Sequence, residues 1–274
     1  MIVNNIKKTL KKNTVIKTCI NVRNKILIKK AHNLSRQFIR ANELSKFKQQ
    51  KKGKRCFIIG NGPSLTLEDL NLLKNEDCFA TNSIYKLFGS TDWRPTYYVS
   101  QDLKVIDDLS GDLGLIANSC PYVFLNSYIC NKYPDVFKEN NVFAFFVNTY
   151  DDGVHFPGFS FDMANEICEG YTVTYACIQM AVYMGYSKIY ILGCDHNYAA
   201  TYALDGSIRV DNSVNNNYMS LMDHKLINLP RLDKTTLAYM KARTVCENNN
   251  IEIYNSTRGG KLEVFERKSF DDLF

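Results

Sequence analysis

Short apolar runs closed by polar residues recur along most of this chain. Cys56-Phe57-Ile58-Ile59 empties into Gly60-Asn61-Gly62-Pro63-Ser64, and Cys78-Phe79-Ala80-Thr81 ends at Asn82. Thr96-Tyr97-Tyr98-Val99 ends at Ser100-Gln101-Asp102, and Lys188-Ile189-Tyr190-Ile191-Leu192-Gly193 ends at Cys194-Asp195-His196-Asn197-Tyr198. Continuous apolar runs of this length predict strands covered on both faces, as parallel sheets require. Tyr122–Leu125, Val142–Val147 and Ile251–Asn255 predict further strands. Between them lie helical patterns. Thr66 with Asp69 reads as a capping box before Leu67, Leu70, Leu72 and Leu73. Thr172 caps an apolar-spaced stretch that runs to Met184 and stops at Gly185, and Leu232–Cys246 is helical again. The regions Tyr150–Gly158 and Asp205–Asn217 are too polar for core elements, and the second has the composition of a mobile lid. No internal repeat is present.

The pattern therefore predicts an α/β, Rossmann-like fold with a mostly parallel sheet flanked by helices, over residues 56–274. Residues 1–55 differ. They carry 17 Lys or Arg and one acid, Glu43, which leaves 17 bases and 27 acids in residues 56–274. The chain's net charge of +6 thus hides a basic arm on an acidic body. Ile2, Ile6, Leu10, Ile16, Ile20, Leu27, Leu34 and Phe38 are spaced among the lysines as on an amphipathic helix, and Lys51–Arg55 reads as a linker. No apolar run in the arm exceeds three residues, which excludes a membrane span and a secretory signal there. An apolar stripe among lysines suits an anionic membrane surface better than a nucleic acid. Packing against the body or against a second copy in a homo-oligomer is the alternative. Nine cysteines without CxxC spacing suit reduced core thiols and not a zinc site, and no metal ligands are expected.

The candidate chemistry lies where strands end. Glycines in a strand-to-helix turn let backbone N–H groups approach a phosphate, with Asn61 at the tip. Leu65 stands where a dinucleotide fingerprint has its third glycine, and the Gly-Lys-Ser/Thr ending of a P-loop is absent. A tight connection without ligand is the competing reading. Asn82, Gln101 and the Cys194–Tyr198 cluster lie at carboxyl ends of strands, where open α/β sheets bind ligands.

Several segments together resemble the bacterial 6-hydroxymethylpterin pyrophosphokinase-like proteins: Ile58–Leu65, Thr81-Asn82, Tyr171–Thr174 leading to Met184-Gly185-Tyr186, Ile189–Tyr198, and Tyr254–Thr257 with Leu262–Phe265. That family shares its domain with flagellin glycosyltransferases and, more distantly, with small bacterial lipo-oligosaccharide sialyltransferases. The resemblance spans about residues 56–266. It implies an inverting glycosyltransferase moving a sugar from a nucleotide donor, expected to be CMP-linked, to a surface or lipid-linked glycan. The basic arm, which the resemblance leaves uncovered, adds the expectation of a peripheral place on the cytoplasmic face of the membrane. It implies Gly60, Asn61, Gly62, Ser64, Asn82, Gln101, Thr172 and Thr174 as donor-binding residues, with Tyr198 and Tyr202 holding the departing phosphate. The sialyltransferase base is a His just before the last long helix. Here that place is near Pro230, so His224 and His196, beside Asp195, are the candidates; His32 and His155 are read as bystanders. No tightly bound cofactor is implied. The pyrophosphokinase alternative would use Asp195 and Asp102 to hold Mg²⁺ on ATP, and a non-catalytic nucleotide-binding subunit of a glycan assembly complex is the remaining alternative.

Overall fold

The computed structural model describes residues 41–151, 156–198, 200–202, 208–210 and 231–274, with 18–19, 22–27, 29–30 and 33 of the arm. The strands β1 (Arg55–Ile59), β2 (Cys78–Thr81), β3 (Tyr97–Ser100), β4 (Tyr122–Asn126) and β5 (Val142–Phe145) come first. The short β6 (Val147–Asn148) and β7 (Ile167–Cys168) follow, then β8 (Lys188–Leu192), β9 (Ala200–Tyr202), β10 (Ile208–Val210), β11 (Glu252–Asn255) and β12 (Glu266–Arg267). Eight of them form one sheet in the order β12-β11-β8-β1-β2-β3-β4-β5. Every pairing in it is parallel. The Rossmann-like α/β expectation holds.

Successive side chains of a strand face opposite ways, so β1 feeds two cores. Cys56 and Ile58 point into one and Phe57 and Ile59 into the other, all with no exposed surface. The helices are α1 (Ala41–Ser45), α2 (Leu67–Leu72), α3 (Leu103–Asp108), α4 (Leu113–Ser119), α5 (Val173–Met184) and α6 (Leu232–Asn248). Leu70, Ile106 and Ile116 place α2, α3 and α4 on one face, while Met180, Met184, Ala238 and Ala242 place α5 and α6 on the other. The capping box at α2 forms as read, with the Asp69 backbone N–H donating to Thr66 Oγ1 and the Thr66 N–H to Asp69 Oδ2. Asp69 is buried, and Arg258 Nη1 meets both of its carboxylate oxygens at 2.7 Å, tying α2 to the carboxyl-terminal segment.

Three expectations change. The run Val142–Val147 is divided: β5 stays in the main sheet, and after Phe146 the chain turns to pair β6 with β7. The apolar composition is continuous there, so composition alone could not show the break. Residues 44–55 do not stand off as an arm and linker. Leu44 and Phe47 are core residues, the Phe47 ring lies 5.1–5.4 Å from Tyr122, Phe124 and Phe143, and the Gln49 and Lys51 N–H groups donate to the carbonyls of Tyr183 and Met184. Within the polar stretch 205–217, Ile208–Val210 forms β10, antiparallel to β9. The rest of that stretch, most of the arm, and His32, His155 and His224 lie outside the described residues. Among the described residues, no helix is long and apolar enough to cross a membrane.

Candidate functional site

The chain leaves β1 toward β2 on one side and returns through α5 to β8 on the other, so the strand order reverses between β1 and β8. At that junction open α/β sheets have their ligand crevice. The glycine turn after β1 and the loop after β8 meet there, and they fit closely. Gly60 N–H donates to the Leu192 carbonyl and Gly62 N–H to the Gly193 carbonyl, each at 2.8 Å. A Cβ on Gly60 would stand 2.4 Å from Gly193 O, and one on Gly62 would stand 1.7 Å from Asp195 Oδ2. The glycines thus permit two loops to touch. Their N–H groups are already used, which departs from the phosphate cradle expected from the sequence.

The anion lying in that turn is the chain's own. Ser64 Oγ donates to Asp195 Oδ2 at 2.8 Å, and burial raises the Asp195 pKa from its ordinary value despite that bond. Asp195 and His196 part company although adjacent. His196, at φ 50°, lies 3.1 Å through Nε2 from Thr236 Oγ1 on α6, and burial lowers its pKa.

A second group gathers around the start of α5. Thr172 caps the helix, with Oγ1 accepting from Thr174 N–H, and Thr174 Oγ1 lies 3.6 Å from Cys194 Sγ. The hydroxyls of Thr172 and Thr174 also reach the buried phenol of Tyr239. Burial pushes the Cys194 thiol up to about 12, so it stays neutral. Tyr198 has 39% of its surface exposed, and partial burial, with the nearby Cys194 and Asp195, pushes its phenol up to about 12 as well. Tyr202 lies on β9, and its side chain is outside the described residues.

A third group lies at the ends of β2 and β3. Asn61 Nδ2 donates to the Thr81 carbonyl at 3.0 Å, which turns Oδ1 the other way, buried and without a hydrogen-bond partner among the described residues. Asn82, at φ 51°, accepts from Ser100 Oγ through Oδ1, and its carbonyl accepts from the Tyr98 hydroxyl at 2.6 Å. Left-handed backbone on a non-glycine residue costs free energy and gathers at functional sites. Of the five such residues described, Asn82, Tyr171 and His196 all stand on this rim.

With this geometry in view, one comparison decides the family. A family model described as 6-hydroxymethylpterin diphosphokinase MptE-like matches residues 29–201. The chain belongs to that family. No curated protein matches this MptE-like chain. Among solved structures, the MAf glycosyltransferase from Magnetospirillum magneticum AMB-1 is similar over 89% of this chain and 39% of its own, at 13% identity and a TM-score of 0.54. The MptE-like chain thus spans about two fifths of that protein, and at this identity the likeness is one of fold.

One rim residue of this MptE-like chain escapes the sequence reading. Glu169 follows β7, and its Oε1 accepts from the backbone N–H groups of Gly170 and Tyr171 and from Gln101 Nε2, at 3.0, 2.6 and 3.3 Å. Gln101 is the residue already expected at the end of β3. The loop into α5 therefore crosses the carboxyl edge from β3, where Glu169 meets Gln101, to β8, where Thr174 meets Cys194. The ends of β1 and β2, with Asn61 and Asn82, lie between them in the sheet. The available signal was an acid followed by glycine one residue short of a helix cap, and it names no partner 68 residues away.

Proposed function

We propose that this protein is an inverting, sialyltransferase-like glycosyltransferase that takes a sugar from a CMP-linked donor and works at the cytoplasmic face of the membrane on a surface or lipid-linked glycan. The observation that carries the reading is the bridging loop, which sets the amino end of α5 over the switch between β1 and β8 with hydroxyl donors around it. A helix start of this kind favours an anion. The turn at Gly60–Ser64 is engaged with Asp195, so the donor phosphate belongs with Thr172, Thr174 and Tyr198. A phenol there donates to the charge that grows on the leaving phosphate. The nucleoside belongs beside Asn61 and Asn82. Asn61 Oδ1 accepts an N–H or O–H from it, and Asn82, with Oδ1 held by Ser100, has its Nδ2 to donate. Similarity of fold to a solved glycosyltransferase supports the reaction class.

The arm supports the location. Val22, Ile26 and Leu27 are 51%, 60% and 51% exposed on helical residues of the arm, so an apolar stripe stands among the lysines. An interfacial helix of this type gains from apolar insertion and from anionic headgroups.

The family description favours a second reading, diphosphate transfer from ATP to a pterin-like alcohol. Its Mg²⁺ needs oxygen ligands, and the two carboxylates expected to supply them are differently engaged. Asp195 is bound by Ser64, and Asp102 caps α3 by accepting from the Lys104 and Val105 N–H groups. No group of three His, Cys, Asp or Glu suited to a metal is present among the described residues. This donor set does not fit the ion.

Thermal-shift titration with CMP-, UDP- and GDP-sugars, and with ATP plus Mg²⁺, separates the readings. Stabilisation by a CMP-sugar is the expected outcome. Stabilisation by ATP plus Mg²⁺ and by no sugar nucleotide would overturn the proposal, and silence towards all of them would favour a scaffold role.

A further inference from the structure

We propose that Glu169 is the catalytic base of this site, taking the proton from the acceptor hydroxyl through Oε2. The proposal rests on the transferase reading above and adds the group that reading lacked.

Three donors converge on one oxygen of this carboxylate. The N–H groups of Gly170 and Tyr171 and the Gln101 amide all reach Oε1, and Oε2 accepts none of them. One oxygen is the anchor and the other is the working atom. The anchor is held firmly. Tyr171 stands at φ 58°, and a Cβ on Gly170 would come within 2.3 Å of the Tyr175 ring, so the loop fits only with glycine there. Thr235 Oγ1 donates to the Tyr171 carbonyl from α6 at 3.5 Å. A carboxylate aimed by its own backbone in this way loses little freedom when a substrate arrives.

Its surroundings suit proton transfer. Burial raises the Glu169 pKa, and the negative charge of Asp102, at the start of α3, adds to the rise against the three hydrogen bonds. The Tyr171 phenol points away, to Asp151, which is itself paired with Lys234. A carboxyl group tuned upward is a better base near neutral pH than an ordinary one. The histidines offer less. His196 is committed to Thr236 on α6.

The step balances without a co-reactant. The acceptor O–H proton passes to Glu169 Oε2, and the acceptor oxygen forms its bond to the anomeric carbon. The bond from that carbon to the phosphate oxygen breaks, with its electron pair leaving on the nucleotide.

The test uses the full chain, wild type and Glu169→Gln, with thermal shift by CMP-, UDP- and GDP-sugars as one readout. Release of free nucleotide from the same donors, with water as acceptor and followed across pH, is the other. Gln keeps an oxygen for the Gly170 and Tyr171 N–H groups and removes only the basicity. The expected result is a donor shift retained and nucleotide release lowered by about 10²- to 10⁴-fold, with the rise of rate with pH that marks the base lost from the residue. Glu169→Asp should restore part of that pH dependence. Glu169→Gln within threefold of wild type, with the same pH limb, overturns the base while leaving the transferase standing. Loss of the donor shift in Glu169→Gln also overturns it, by placing the residue in the donor pocket. A wild type that neither binds nor cleaves any donor overturns the transferase reading and the base together.

Discussion

Ser64 and Asp195, 131 residues apart, are joined by a 2.8 Å hydrogen bond across the junction of β1 and β8. The bond lies against Gly62, whose missing side chain leaves the room for Asp195. Gly62→Ala is expected to force the two loops apart. Overpacking of this kind costs about 1–3 kcal/mol, read by denaturant unfolding. The loss should shrink in an Asp195→Gly background, since the nearest obstruction has gone; an equal loss in both backgrounds would show that the crevice relaxes some other way.

Asp195 and Glu169 both have raised pKa values, caused first by burial. An acid that holds its proton more tightly when folded favours the folded state below its unfolded pKa, and that contribution is lost as pH rises through its folded pKa. Glu169→Gln is therefore expected to match wild-type stability in acid and exceed it at neutral pH. Unfolding curves at several pH values check this, and a margin that narrows as pH rises would contradict it. Extra stability with less turnover is the usual relation at a working carboxylate.

Arg258→Ala removes the cation facing Asp69, whose side chain is 2% exposed. Breaking a buried pair costs about 3–5 kcal/mol, but Arg258 is 40% exposed and the capping box keeps part of the carboxylate satisfied, so about 2 kcal/mol is expected. Chemical denaturation measures it. A change below a few tenths would mean that Asp69 is held by Thr66 alone.

Tyr198→Phe removes a donor from the proposed phosphate subsite and leaves the ring. Turnover should fall about 10- to 100-fold, at or below the loss typical of one oxyanion donor, with little change in donor affinity. Steady-state kinetics with the donor found by thermal shift supplies the comparison. An effect on KM alone would place the phenol in ground-state binding only.

The full chain should sediment with vesicles containing anionic lipid at low salt, and lose that association as salt screens the lysines. Binding to neutral vesicles that is indifferent to salt would argue for apolar insertion without charge, and no binding at low salt would remove the membrane from the proposal.

The main strands were legible because each is buried on both faces and so had to be an unbroken apolar run, and the Thr66 and Thr172 caps were legible because capping is local. The occupant of the glycine turn was not. Gly60 and Gly62 declare that something must come close, and the sequence says equally well phosphate or polypeptide. Here it is the β8 loop. Glu169 was missed for a related reason: its meaning depends on Gln101, which only the sheet order brings near. His196 beside Asp195 looked like a pair, and the left-handed turn at His196 separates them.

Between β1 and β2 the chain covers 18 residues of connection, yet the other neighbour of β1 is β8, whose pairing runs from Lys188 to Leu192. During synthesis, the first five strands of the sheet can assemble while Arg55–Ile59 still presents an open edge, apolar from Cys56 to Ile59. That edge waits for more than a hundred further residues. Such an unpaired strand is a template for association with other chains. Nascent protein arrested before β8 should be the aggregation-prone and chaperone-bound species, and the crevice itself comes into being late, at the moment that edge is closed.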